Sequence, residues 1–335
     1  GVDMVRTNPQ DGRQAPRGVV KPAGRWPRRV GFLAVAAVGF SLLVVQMVTA
    51  TGHTISSGSS VEEESIRLSD DGRWIVFLEY TAGDPSLFSA ATDGSIRHKL
   101  NPPPIPGGSL FIQLRVSPNS NWVVYLADQD TDDVWELYSV PIDGSGPAEK
   151  LNGPLVAGGD VISDYYVTSD SQYVVYTADQ VTDGVQEIYS VPIDGSAAPT
   201  KLNGALVSGG NVWLGQPTPD GKSVIYRADQ VVDEVWDLYS VPIDGSSPAI
   251  PISKAGSVGD AFGTWRFSPD SARVVYLGDE NTPDVWELFS VPVDGSASPV
   301  TLNDTMVTDG DAWAAYAVSE DSTTVVYWAD QDTDE

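Results

Sequence analysis

The sequence predicts an all-β protein: a β-propeller of four-stranded antiparallel blades, preceded by one N-terminal hydrophobic helix. Three observations predict it. The phrase "VVYLADQDTDDVWELYSVPIDGS" (Val123–Ser145) returns in close variants at Val174, Val224 and Val274, and opens once more as "VVYWADQDTDE" at Val325. The aromatic that ends each opening falls at Phe77, Tyr125, Tyr176, Tyr226, Tyr276 and Tyr327, spaced by 48, 51, 50, 50 and 51 residues. A period of that length marks a solenoid or propeller. After residue 51 no apolar run has the 3.6-residue period of an amphipathic helix, which sets helical solenoids aside.

The N-terminus is a separate region. Residues 1–29 form a basic tail. "VGFLAVAAVGFSLLVVQMVTA" (Val30–Ala50) then runs for 21 residues without a charge. At about 1.5 Å per residue it can cross a hydrocarbon core of roughly 30 Å. "RWPRR" (Arg25–Arg29) holds its near end on the cytoplasmic side, so the body is expected on the periplasmic or extracellular side of a bacterial envelope. The small residues of "VTA" before Thr51 also suit a cleaved secretory signal. Residues 51–62, small and polar, read as a flexible linker.

Residues 63–335 read as the propeller. Its blades fall near 64–101, 110–152, 160–203, 211–253 and 262–303, with a partial blade at 312–335. Each unit holds four strand-like runs, A to D. In the second they are "LFIQLRV" (Leu110–Val116), "WVVYLAD" (Trp122–Asp128), "VWELYSVPI" (Val134–Ile142) and residues 148–152. Val, Ile, Tyr and Trp suit a pleated, half-buried surface. Asp-Gly at Asp143, Asp194, Asp244 and Asp294 closes the C–D hairpin, because glycine supplies positive φ without steric cost. Pro141, Pro192, Pro242 and Pro292 lack an N–H and belong at a strand end. Five blades and a half do not close a ring, and closure is how a propeller removes its exposed edges. The expected whole is a ring of six to eight blades, of which this chain is a part.

The phrases "TPDGKSVIY" (Thr218–Tyr226), "QEIYSVPIDGS" (Gln186–Ser196) and "KLN" (Lys201–Asn203) resemble the WD40-like repeat of Tol-type periplasmic β-propellers. The resemblance covers residues 64–335 and speaks for fold, since the matching residues build the blade. The first turn departs from the pattern in "SDDG", "SPNS", "TSDS" and "SEDS", and the Tol protein's N-terminal α/β domain has no counterpart here. Related propellers also form the gating domain of prolyl-oligopeptidase-like serine peptidases. The resemblance therefore implies either a binding scaffold in the envelope or the gate of a peptidase whose catalytic domain lies beyond Glu335.

Composition narrows the chemistry. The chain carries a net charge of −27. Residues 1–50 hold seven basic and two acidic groups, which leaves −32 on the rest. Such a body repels phosphate backbones and excludes nucleic acid as a partner; it suits a protein or glycan, and a basic partner best. Without cysteine there is no thiol chemistry, and His53 and His98 alone make a Ser-His-Asp triad within these residues improbable. "AGSVG" (Ala255–Gly259) is a poor nucleophile elbow, because its first residue is wrong and it joins two blades.

The acidic B–C loops are the candidate site. Asp128, Asp130, Asp132, Asp133 and Glu136 offer alternating oxygen ligands of the kind Ca²⁺ takes. A carboxylate also follows the first Asp at a distance of eight in four units, Asp128/Glu136 through Asp279/Glu287. In a symmetric hairpin the two would oppose each other and call for a cation. The plainer alternative is that each Asp caps its own loop while each Glu faces water. On strand A, Arg67, Arg115 and Arg266 are candidate contacts for an anionic group in the channel, or partners for nearby Asp. Trp135, Trp236 and Trp286 share one position in strand C and read as inter-blade core.

Overall fold

The computed structural model describes residues 60–81, 84–103, 105–254 and 260–332. The apolar segment 30–50 lies outside them; among the described residues no helix is long and apolar enough to cross a membrane. The chain forms repeated antiparallel sheets in sequence order. Sheet 1 pairs Trp74–Thr81 with Asp84–Ala91 and then Arg97–Lys99, and its strand A is split into Ser60–Val61 and Arg67–Leu68. Sheets 2 to 5 are four-stranded meanders. Sheet 2 runs Arg115–Val116, Trp122–Ala127, Glu136–Pro141 and Glu149–Lys150. Sheet 3 runs Val161–Val167, Tyr173–Ala178, Glu187–Pro192 and Thr200–Lys201. Sheets 4 and 5 repeat the order from Val212 and Ala261, and Ala312–Val318 pairs with Val325–Ala329 in the sixth.

Packing follows from the two-residue period of a strand. In Trp122–Ala127, Val123, Tyr125 and Ala127 join the cluster shared with sheet 1. Val124 and Leu126 join the cluster shared with sheet 3. Both faces of each middle sheet are thus buried against neighbours, and the first strands of sheets 1 and 2, 3 and 4, and 5 and 6 lie against one another. Cross-strand aromatic pairs fill one face: Tyr125–Tyr138, Tyr176–Tyr189, Tyr226–Tyr239 and Tyr276–Phe289 stack with centroids 5.2–5.5 Å apart.

The C–D turn uses its glycine alone for positive φ. Gly144 (φ 65°) donates to the Pro141 carbonyl at 3.0 Å, and the Asp143 carboxylate accepts from the Ser145 N–H. The irregular first turns have a reason that the sequence pattern hid. Ser120, Ser171, Ser271 and Ser322 occupy the left-handed position (φ near 61°) that Gly72 and Gly221 fill elsewhere. Each serine hydroxyl accepts a backbone N–H from the sheet before it: Asp71, Asn119, Asp220 and Asp270 respectively. The turn gives up glycine's ease and gains a bond between sheets.

Buried serines in strand C form a second seam. Ser89, Ser139 and Ser190 each donate at 2.5 Å to a carbonyl of the next sheet, at Ile142, Ile193 and Ile243. Ser139→Ala is expected to lower unfolding stability by about 1–2 kcal/mol, since it strips a buried carbonyl of its partner. Ser145→Ala, on the exposed turn, is the control and should leave the denaturation midpoint unchanged.

Candidate functional site

In sheets 2 to 5 the B–C loop and the residue that leads into strand A lie together at one end, held by the aspartate that ends strand B. Asp128 is 3% exposed. Its carboxylate accepts the Ser109 N–H on one oxygen and the Asp133 N–H on the other. Asp179 does the same for Asp160 and Gly184, Asp229 for Asn211 and Glu234, and Asp279 for Asp260 and Asp284. A second step reaches the preceding sheet. Asp160, Asn211, Asp260 and Asp311 accept the backbone N–H of Trp135, Gln186, Trp236 and Trp286 at 2.7–3.0 Å. Burial, with Asp179 close by, holds the Asp160 carboxyl above the usual carboxylate range despite the Trp135 N–H, and burial does the same to Asp260.

The five carboxylates read as a Ca²⁺ set have separate tasks. Asp128 clamps loops. Asp130 pairs with Lys150 at 2.7 Å. Asp132 is exposed and lies against Gly107, where a β-carbon would strike its carboxylate. Asp133 sits at φ 61° on the loop. Glu136 binds Lys150 at 2.6 Å and the Tyr138 hydroxyl at 2.9 Å. Among the described residues no three histidines or carboxylates are grouped to hold an ion. The expected opposition of Asp128 and Glu136 is corrected by one residue: Glu136 lies across from Ala127, Glu187 from Ala178, Asp237 from Ala228 and Glu287 from Gly278. A one-residue shift puts the two acids on opposite faces. The compensating cation is already in the chain, on strand D: Lys150 for Glu136 and Lys201, at 2.7 Å, for Glu187.

Sheets 4 and 5 depart from this pattern. Strand D offers Pro251 and Thr301 where sheets 2 and 3 have lysine. The Tyr239 hydroxyl and one oxygen of Glu287 are buried without a hydrogen-bond partner. Glu280 stands where Gln129, Gln180 and Gln230 accept the tyrosine hydroxyl of their own strand B. It takes the Tyr276 hydroxyl at 2.9 Å and the Lys254 N–H at 3.3 Å. Burial pushes its carboxyl up to about 7.

The three arginines do not converge on a carboxylate. Arg67 donates to the carbonyls of Glu64 and Ile66. Arg115 lies 4.9 Å from the Tyr166 ring centroid, and Gln216 donates to the Tyr166 hydroxyl at 2.9 Å. Arg266 is exposed on strand A of sheet 5. Residues of this one repeat position in sheets 2, 3 and 4 thus touch in sequence.

The tryptophans of strand C belong to something larger. Phe111 meets Trp135 edge-on at 5.5 Å, and Trp213 meets Trp236 edge-on at 6.0 Å. Backbone bonds carry each strand C to the next strand A: Val161 donates to Trp135, Val212 to Gln186, Ala261 to Trp236 and Ala312 to Trp286. The residue after each of those donors is Ile162, Trp213, Phe262 or Trp313. Aromatic side chains therefore stand at the loop end of sheets 2, 4, 5 and 6, with Trp213 60% and Trp313 53% exposed, while sheet 3 has Ile162 and Gln186 at the two positions. The second residue of strand A carried this signal in the sequence, at Phe111, Trp213 and Trp313, and only strand C was read.

No family model matches the chain, and no curated protein matches it. Solved structures do. The chain is similar to a protein of Agrobacterium tumefaciens assigned as TolB, at 18% identity over 82% of this chain and 93% of that one, TM-score 0.41. It is similar to an oligogalacturonate lyase solved with manganese, at 15% over 76% and 67%, TM-score 0.47. It is similar to Porphyromonas gingivalis dipeptidyl peptidase 4, at 14% over 78% of this chain and 42% of the peptidase, TM-score 0.57. The relationship is distant and one of fold, to β-propeller and solenoid-like proteins.

Two outcomes test the electrostatics. Lys150→Met is expected to cost about 1–2 kcal/mol by denaturant titration, discounted for an ammonium 36% exposed, and adding Glu136→Gln should recover part of it. For Glu280 the folded carboxyl near 7 lies above its ordinary 4.5. Between those values the folded state keeps a proton that the unfolded state has released, so its contribution falls as pH rises through the window. Glu280→Gln should raise stability by up to about 3 kcal/mol at pH 8 and change nothing near pH 4, read from paired melts.

Proposed function

We propose that this chain is the propeller module of a prolyl-oligopeptidase-like serine peptidase, admitting polypeptide to a catalytic domain carried beyond Glu335. The observation that supports the reading is the likeness to dipeptidyl peptidase 4. It takes in 78% of this chain but 42% of the peptidase, as one module of a larger enzyme would. The repeat phrases, which resemble those of Tol-type propellers to which such gating propellers are related, support it from the sequence side.

In this reading the sheets close into a ring, because a sheet with two apolar faces needs a neighbour on each side. Strand A lines the passage, and Arg67, Arg115 and Arg266 face it as contacts for an anionic group. The described residues contribute access and binding, not bond breaking. The charge-free Val30–Ala50 behind Arg25–Arg29 supports a location outside the cytoplasm, anchored or secreted. A second reading, a free-standing envelope scaffold for a protein or glycan, is favoured by the exposed tryptophans Trp213 and Trp313 at the loop end.

The product of the complete reading frame is expected to be labelled by a fluorophosphonate probe for activated serines. It should cleave a short proline-containing peptide and leave folded protein intact. A reading frame that stops soon after another sheet or two, giving an unlabelled product, would overturn the peptidase reading and leave the scaffold.

A further inference from the structure

We infer that the loop end of the sheets is a docking surface for a cationic, Lys/Arg-bearing polypeptide segment. The inference goes beyond the peptidase reading and holds equally for a free-standing module.

Aromatic area comes first. Trp213 and Trp313 are more than half exposed; half-buried Trp236 meets Trp213 edge-on, the carbonyl of half-buried Trp286 accepts the backbone N–H of the residue before Trp313, and Phe111 with Trp135 forms a separate half-buried pair on sheet 2. Exposed indole faces cost solvation and attract cations, which bind over an aromatic ring through its quadrupole. The chain shows the fit itself. The Arg227 guanidinium lies 4.6 Å from the centroid of Trp236.

Charge decides the occupant. The loops that lead into Trp135, Trp236 and Trp286 expose Asp132, Asp133, Asp233, Glu234 and Asp284. An acidic ligand would be repelled and a neutral glycan would leave the carboxylates unused, whereas a basic peptide satisfies both rings and charges. Three of those acids occupy a position that favours glycine. Asp133, Glu234 and Asp284 have φ of 61–63°, while sheet 3 has Gly184 at the same point of its loop. The backbone N–H does the structural work there in all four sheets, donating to the aspartate at the end of strand B. A carboxylate at such a position adds charge to the surface without serving the fold.

The test is fluorescence anisotropy of the full chain with a labelled Lys/Arg-Gly peptide, beside an acidic peptide of equal length and a neutral oligosaccharide. Binding of the basic peptide alone, weakening as NaCl rises, is expected. Trp213→Ala with Trp313→Ala should weaken it about tenfold, in the range of two lost cation–π contacts. The triple change Asp133→Gly, Glu234→Gly and Asp284→Gly should weaken it similarly and flatten the salt dependence. Its melting temperature should hold, because glycine is native to that position in sheet 3. Equal binding of the acidic peptide, binding of the oligosaccharide alone, no binding at all, or full affinity in both variants would each overturn the inference.

Discussion

The carboxylate of Asp179, and of its counterparts Asp128, Asp229 and Asp279, is the joint on which the architecture turns. Two backbone N–H groups converge on it, one from its own B–C loop and one from the residue before strand A. That residue, Asp160 in sheet 3, reaches back to the N–H of Trp135 in sheet 2. One carboxylate thus sets the shape of a loop, the entry of strand A and the distance to the neighbouring sheet. Charge-assisted bonds to backbone N–H are about twice as strong as neutral ones. Losing the carboxylate would leave the N–H groups of Asp160 and Gly184 unpaired and loosen the residue that holds Trp135 of the preceding sheet. The apolar contacts then supply most of the free energy, and the joints determine which neighbour receives them.

Much of this was legible in the sequence because it repeats. The period, the four strands, the C–D turn and the strand-end prolines all follow from residue types whose backbone demands are narrow. Register did not follow. The run Tyr-Leu-Ala-Asp before the loop does not say whether Ala127 or Asp128 faces Glu136, and the answer reverses the face on which the acid lies. The serines of the first turn were misleading for a related reason. A serine at positive φ looks like a decayed glycine until the bond to the next sheet is seen. The lysine partners of Glu136 and Glu187 were in plain view as "KLN", but the distance of 14 residues means nothing until strands C and D are paired.

The heavy negative charge takes on a clearer meaning once its members are sorted. In sheets 2 and 3 the buried acids are compensated one by one, by backbone N–H groups at the strand ends and by lysine across the C–D hairpin. At Asp133, Glu234 and Asp284 the backbone N–H makes the loop bond and the side chain stands exposed. A net charge of this size keeps a chain soluble but strains its compact state through self-repulsion. Acids gathered at one end of the sheets, among tryptophans that remain open to solvent, are where that repulsion would be relieved by a partner of opposite charge.

The repeats are not equal, and the inequality has a direction. Sheets 2 and 3 satisfy their buried glutamate with a lysine and a tyrosine. Sheet 4 shortens the acid to Asp237, which accepts the Ser253 hydroxyl and leaves Tyr239 without a partner. Sheet 5 keeps Glu287, replaces the tyrosine with Phe289 and the lysine with Thr301, and leaves a carboxylate oxygen unmatched. Glu280 adds a second buried acid to the same sheet, next to the junction with sheet 4. In an array whose stability is a sum of unit and interface terms, unmet polar groups concentrated in adjacent units lower those terms locally. Opening should therefore begin at sheets 4 and 5, and more readily at alkaline pH, where Glu280 is charged. Among the described residues the buried polar side-chain atoms without a partner all fall in sheets 4 to 6, at Tyr239, Trp265, Glu287 and Gln331, so the later part of the array carries the cost that sheets 1 to 3 avoid.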